Sequence, residues 1–135
     1  ERFAAVDSRD EDVLAAAMLA AHGPPPLTHR TADFRGVTSP LLRDGEALSG
    51  LMISAAGAAG LATAEAPIVR ALPRDGMAIV LLLDLGHMTI HTVPARGTLL
   101  LDLLLPWGRD AQKAVDVFSR KLGLSEGRAG RLDRG

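Results

Sequence analysis

Two histidines four residues apart, His87 and His91, are the first side chains here whose types and spacing could do chemistry. On a helix that spacing sets both imidazoles on one face. The helical zinc-protease pattern also needs a glutamate directly after the first histidine, and Met88 stands there instead. Thr89 and Ile90 favour a strand, on which residues four apart share a face but lie about 13 Å apart at ~3.3 Å per residue. One metal ion cannot bridge that span, so no metal site is expected. Each imidazole is then either a hydrogen-bonding group on a partly buried face or a proton carrier.

The carboxylates Asp84 and Asp102 are expected on strands near these histidines. Asp102 interrupts an apolar stretch, which suits either a proton-carrying acid or a hydrogen-bonded structural carboxylate. Trp107, just after Pro106, is expected at a rim or a subunit contact rather than as a stacking platform. The only lysines, Lys113 and Lys121, fall on the last expected helix, which makes a lysine Schiff base a poor fit. Ser54 to Gly60 is rich in small residues but lacks the lysine of a phosphate loop, so packing explains it better. The chain has no cysteine, which excludes disulfides, thiolate metal sites and a cysteine nucleophile.

The elements that must position these groups come from one domain of 135 residues. Its 15 basic and 16 acidic side chains nearly cancel, against the basic excess that nucleic-acid binding leaves. The longest apolar run, Met77 to Leu83, is the size of a strand and far short of a membrane helix. No cationic segment followed by an apolar one opens the chain, so a soluble, cytoplasmic protein is expected, without nucleic acid or membrane as a partner.

Residues 1–26 read as a helical arm and a spacer. Ser8 and Glu11 have capping-box spacing, and Val13, Leu14, Ala17, Met18 and Ala21 form a helical stripe. Gly23 stops the helix and Pro24 to Pro26 force extended chain. The central domain is expected over 27–124. Leu27 to Arg35 is a strand candidate, and a helix runs from Asp44 to about Gly60. Gly45, Gly50 and Gly57 in that helix are expected to let it approach a sheet closely. Pro67 makes Ala64 to Leu72 an edge or irregular strand.

Gly76 to Asp84 is apolar on both faces of a strand and needs cover on both sides. Met88 to Val93 is a strand, Pro94 to Gly97 a turn and Thr98 to Leu104 another strand. Arg109 to Leu122 is an amphipathic helix whose buried stripe is Ala111, Ala114, Val115, Phe118 and Leu122. Residues 125–135 are expected as a loose polar tail. The fold class is therefore α+β, a two-layer sandwich with an antiparallel sheet and two main helices on one face. A second copy in a homodimer would cover the other face, making an αββα assembly.

The segment Gly86-His-Met-Thr-Ile-His-Thr-Val-Pro-Ala-Arg-Gly-Thr-Leu-Leu-Leu-Asp-Leu103 resembles the core of the bacterial and archaeal S-adenosylmethionine decarboxylases. The match is specific at His87, Thr89 to Thr92, Pro94, Gly97 and Asp102. Weaker similarity begins at His29 to Phe34 and reaches the last helix, so the resemblance covers about residues 27–122. It implies an α/β sandwich whose sheets pair across a homodimer. It also implies a proenzyme in which a serine attacks the carbonyl before it, the chain is cut, and a pyruvoyl group remains. That ketone forms a Schiff base with S-adenosylmethionine and takes up the electrons left by loss of carbon dioxide.

In this sequence the serine position is Gly86, so no pyruvoyl cofactor is expected. The family's catalytic cysteine aligns with Pro106 or its neighbour, its substrate-binding glutamate with Ala95, and its tryptophan with Val93. The serine that assists processing falls near Ala78, and only His91 keeps the place of the processing histidine. The resemblance thus implies His91 and His87 as catalytic candidates and Asp102, Ala95 and Trp107 as ligand-binding candidates, with no metal.

Three functions follow. The missing groups favour a pseudoenzyme, a ligand-binding or regulatory homologue tied to polyamine or S-adenosylmethionine metabolism. It would act as a homodimer or as a heterodimer with an active decarboxylase paralogue. The second is a cofactor-free enzyme of another class, for instance in a specialised biosynthetic pathway. There His87 or His91, with Asp102 or Asp84, would do acid–base work on a small molecule. The third is an active decarboxylase of spermidine biosynthesis.

Overall fold

A computed structural model describes residues 9–10, 12–14, 16–17, 23 and 26–135. The chain runs β1 (Leu27–Arg35), α1 (Ser39–Leu42), α2 (Gly45–Ala58), β2 (Ile68–Ala71), β3 (Met77–Leu82), β4 (His87–Val93), β5 (Thr98–Pro106), α3 (Ala111–Leu122) and β6 (Arg128–Arg134). Short 3-10 turns lie at Pro73–Asp75 and Pro94–Arg96. The described residues among 9–17 are helical, with Val13 and Leu14 exposed; Ser8, Glu11, Met18, Ala21 and the first two prolines of the spacer lie outside the described residues.

The six strands form one antiparallel sheet in the order β2-β3-β4-β5-β1-β6. β5 shows how the core is sorted. Leu99 to Leu105 has no polar alternation, yet Leu99, Leu101, Leu103 and Leu105 are at most 1% exposed while Leu100, Asp102 and Leu104 are half-buried. The buried set packs beneath α2 and α3 in a single cluster that includes Leu48, Met52, Val115 and Phe118. Phe34 of β1 stacks on Phe118 of α3 with ring centroids 6.2 Å apart. Each fully buried leucine contributes roughly 1.5–3 kcal/mol, so this one face carries most of the stabilisation.

The helix ends follow from local chemistry. The Asp44 carboxylate accepts the Ala47 N–H at 3.0 Å and caps α2. Asp110 accepts the Gln112 N–H at 3.1 Å and caps α3, which ends at Gly123 in a left-handed conformation with φ 67°. Asp44→Ala is expected to cost about 1 kcal/mol, seen as a lower urea midpoint with an unchanged slope.

Three expectations are corrected. Of the three glycines in α2, only Gly45 makes a close approach: a Cβ there would lie 3.3 Å from Met77 Sδ and 3.4 Å from Val69 Cγ1. Gly50 and Gly57 are exposed with open space around them, because they lie on the outer side of the helix. Asp84 is not on a strand but in the tight β3–β4 turn, where its N–H donates to Ala62 O at 3.0 Å.

The expected loose tail is the largest departure, since Arg128–Arg134 forms β6 and pairs with β1 from Asp33↔Arg128 to Leu27↔Arg134. An edge strand needs backbone partners more than an apolar face, so six of its seven residues stay exposed and leave no alternation in the sequence. Gly127 N–H donates to Asp33 O at 2.8 Å where the pairing starts, and Thr28 Oγ1 donates to Asp133 at 2.9 Å towards its end.

Candidate functional site

The sheet face turned away from the helices carries the candidate residues His87, His91 and Asp102. Strand register sets its rows. His29, Leu104, His87 and Leu82 lie across from one another, as do Thr31, Asp102, Thr89 and Val80. The next row is Asp33, Leu100, His91 and Ala78. His87 and His91 thus share one face of β4, as strand geometry requires, with the Asp102–Thr89 row between them. Among the described residues no three His, Cys, Asp or Glu side chains converge to hold a metal ion.

Asp102 finds its partner on the other side. His29 Nε2 lies 3.3 Å from Asp102 Oδ1, with the side chains 33% and 49% exposed. An imidazole held by a carboxylate is an oriented proton carrier. The sequence does not reveal His29 as the partner of Asp102 because the contact depends on β1 pairing with β5, at a sequence separation of 73. Asp84, exposed in its turn, stands apart from this pair.

The remaining candidates separate to opposite ends of β5. Ala95 sits in the Pro94–Arg96 turn and borders, with His91, a hollow of about 170 Å³ that also touches Arg74 and Arg96. Trp107 follows the other end of β5, 39% exposed, and lines a hollow of about 330 Å³ with Arg30, Arg109 and Arg131. These two hollows are separate, and Asp102 lines neither of them.

Gly86 closes the β3–β4 hairpin. Leu83 N–H donates to Gly86 O at 3.2 Å, and Gly86 itself has φ 92°, a left-handed backbone that side chains avoid. A Cβ built there would overlap the Leu104 carbonyl oxygen and lie 2.9 Å from its carbonyl carbon. The turn accordingly has room for glycine alone.

A sequence profile described as S-adenosylmethionine decarboxylase matches residues 28–135. An S-adenosylmethionine decarboxylase proenzyme from Brevibacillus brevis is 35% identical over 108 residues, which cover 79% of this chain and 80% of the relative. The crystal structure of the adenosylmethionine decarboxylase from Aquifex aeolicus aligns with a TM-score of 0.69 at 25% identity, covering 83% of this chain and 92% of that one. The profile match includes β6, which the resemblance read from sequence did not reach.

Proposed function

The chain belongs to the S-adenosylmethionine decarboxylase family, and from that premise we propose a member without pyruvoyl chemistry that keeps the fold as a ligand-binding or regulatory protein. The observation that carries this reading is Gly86. Pyruvoyl formation needs a hydroxyl to attack the preceding carbonyl and a Cβ substituent to leave, and glycine supplies neither. The left-handed turn with the Leu104 carbonyl in the place of a Cβ supports a backbone adapted to glycine. The absence of any cysteine, and alanine at 95, agree with the same loss.

Incubation with carboxyl-labelled S-adenosylmethionine is expected to release no labelled carbon dioxide above buffer, beside the Brevibacillus brevis relative as positive control. Release that depends on this protein would refute the reading.

The uncovered face supports self-association. Val80, Leu100 and Leu104 are half-buried there and Leu82 is 38% exposed, on the face opposite the core under α2 and α3. A second copy placed face to face would give an αββα homodimer in which the doubly apolar β3 is covered on both sides. An active decarboxylase paralogue presenting the same face would give the mixed dimer. Co-expression with differently tagged copies tests this, and a tagged chain that captures only itself removes the mixed form. Among the described residues no helix is long and apolar enough to cross a membrane.

The His29–Asp102 pair favours a second reading, acid–base catalysis on a substrate other than S-adenosylmethionine. Turnover found in a substrate screen would fall by roughly 10²–10⁴ in His29→Ala and Asp102→Asn. Unchanged turnover in both variants removes it.

A further inference from the structure

We propose that the hollow beside His91 binds a small oxyanion, a phosphate or carboxylate group, through Arg74 and Arg96. This rests on the reading that the chain no longer carries out pyruvoyl chemistry on S-adenosylmethionine.

The hollow is a built feature. Its walls are the Leu72–Gly76 turn and the Val93–Arg96 turn, with His91 and Thr92 of β4 between them. The first turn is fixed by Leu72 N–H donating to Gly76 O at 2.8 Å and Gly76 N–H donating to Pro73 O at 3.3 Å. Gly76 is buried against β4, where a Cβ would come within 3.0 Å of Thr92 O. Any larger residue would push the turn away and open the cavity.

That turn also holds an unusual backbone. Arg74 and Asp75 both have positive φ, 60° and 62°, with no glycine to ease it. Two successive left-handed residues suit the tight hairpin that joins β2 to β3, and they fix the directions of both side chains. This separates the charges of the turn: Asp75 is drawn to Arg43 at 3.4 Å, while Arg74 lines the hollow.

Charge decides the ligand class. Arg74, Arg96 and His91 border the space and no carboxylate does. Neither guanidinium has an ion-pair or hydrogen-bond partner among the described residues. On its far side Arg96 borders a second hollow with Asp33 and Arg35, but no ion pair joins Arg96 to that acid. The cavity near Trp107 differs, because Asp110 lines it beside Arg109, Arg30 faces Glu126 at 3.6 Å and Arg131 faces Asp133 at 3.2 Å. At about 170 Å³ the His91 hollow suits one oxyanion or the anionic end of a longer molecule. Arginine pairs hold such groups through charge-assisted, often bidentate hydrogen bonds.

The test is an amide-resolved NMR titration of the full chain with inorganic phosphate, and separately with malonate, in low-chloride buffer. Saturable shifts centred on Gly76 and His91 to Arg96 are expected for at least one anion. The variant Arg74→Asn with Arg96→Gln should weaken them at least about tenfold. Asparagine tolerates the left-handed turn, so the variant's spectrum elsewhere should match the parent and report an intact fold. No saturable shift with either anion, shifts that survive in the double variant, or shifts confined to the Trp107 hollow would each overturn the proposal. Intact mass reads self-cleavage separately, so loss of anion binding and return of pyruvoyl chemistry are distinguishable.

Discussion

Gly86→Ser is expected to leave the chain uncut and make it less stable. The substitution restores the hydroxyl that a pyruvoyl precursor needs, but at φ 92° and with its Cβ directed into the Leu104 carbonyl. The left-handed backbone alone costs roughly 1–3 kcal/mol for a non-glycine residue. Relief of the overlap must move Leu104, which is paired with His87 on one side and His29 on the other. A loss of at least about 2 kcal/mol, or roughly 5–10 °C in Tm for a domain of this size, is the expected reading. The variant should run as one chain after days at room temperature. Efficient cleavage before position 86 would mean that the hairpin readily re-forms into a processing geometry, and that glycine is a simple loss of the hydroxyl rather than a fixed part of the turn.

Leu104→Glu is expected to convert a dimer into a folded monomer. Leu104 is half-buried on the open face in the row next to the β3–β4 turn, flanked by His29 and His87. In an isolated protomer a glutamate there reaches water and leaves the helix-side core untouched. Under a second sheet its carboxylate would be taken out of water against apolar side chains, which costs several kcal/mol. Sedimentation velocity should show twice 14.2 kDa for the parent and 14.2 kDa for the variant, with closely similar far-UV spectra. A monomeric parent, or a variant that remains dimeric, rejects the face-to-face arrangement.

Where side-chain pattern decides structure, the sequence can be read closely. The strand Leu27–Arg35, the turn at Pro94 to Gly97 and the helix ending at Gly123 appear at their expected places. The bounds of the turn and the helix come from local signals: a proline–glycine turn, an aspartate cap and a terminal glycine. β6 lacks such signals, because it is held by backbone pairing at an edge and exposes most of its polar side chains. The ambiguous run Leu99 to Leu105 is legible as a strand but not by face, since both faces are apolar and only the helices distinguish them.

The site is less legible than the fold. His87, His91 and Asp102 are identifiable from sequence, and their common face follows from strand period. The partner of Asp102 is not, because it depends on the register between β1 and β5. Nor is the grouping of Arg74 and Arg96 around His91, which arises where two turns from different hairpins meet. Gly86 is legible as a missing hydroxyl; the occupied Cβ position needs the backbone of β5.

Whether this member of the family forms a pyruvoyl group is decided most directly by intact-mass spectrometry of the freshly purified 135-residue chain, with a second spectrum after prolonged incubation. One species at 14.2 kDa is expected in both, unreactive towards a hydrazide that would label a ketone. Two fragments that meet at position 86, the C-terminal one bearing a hydrazide-reactive group, would contradict the loss of pyruvoyl chemistry.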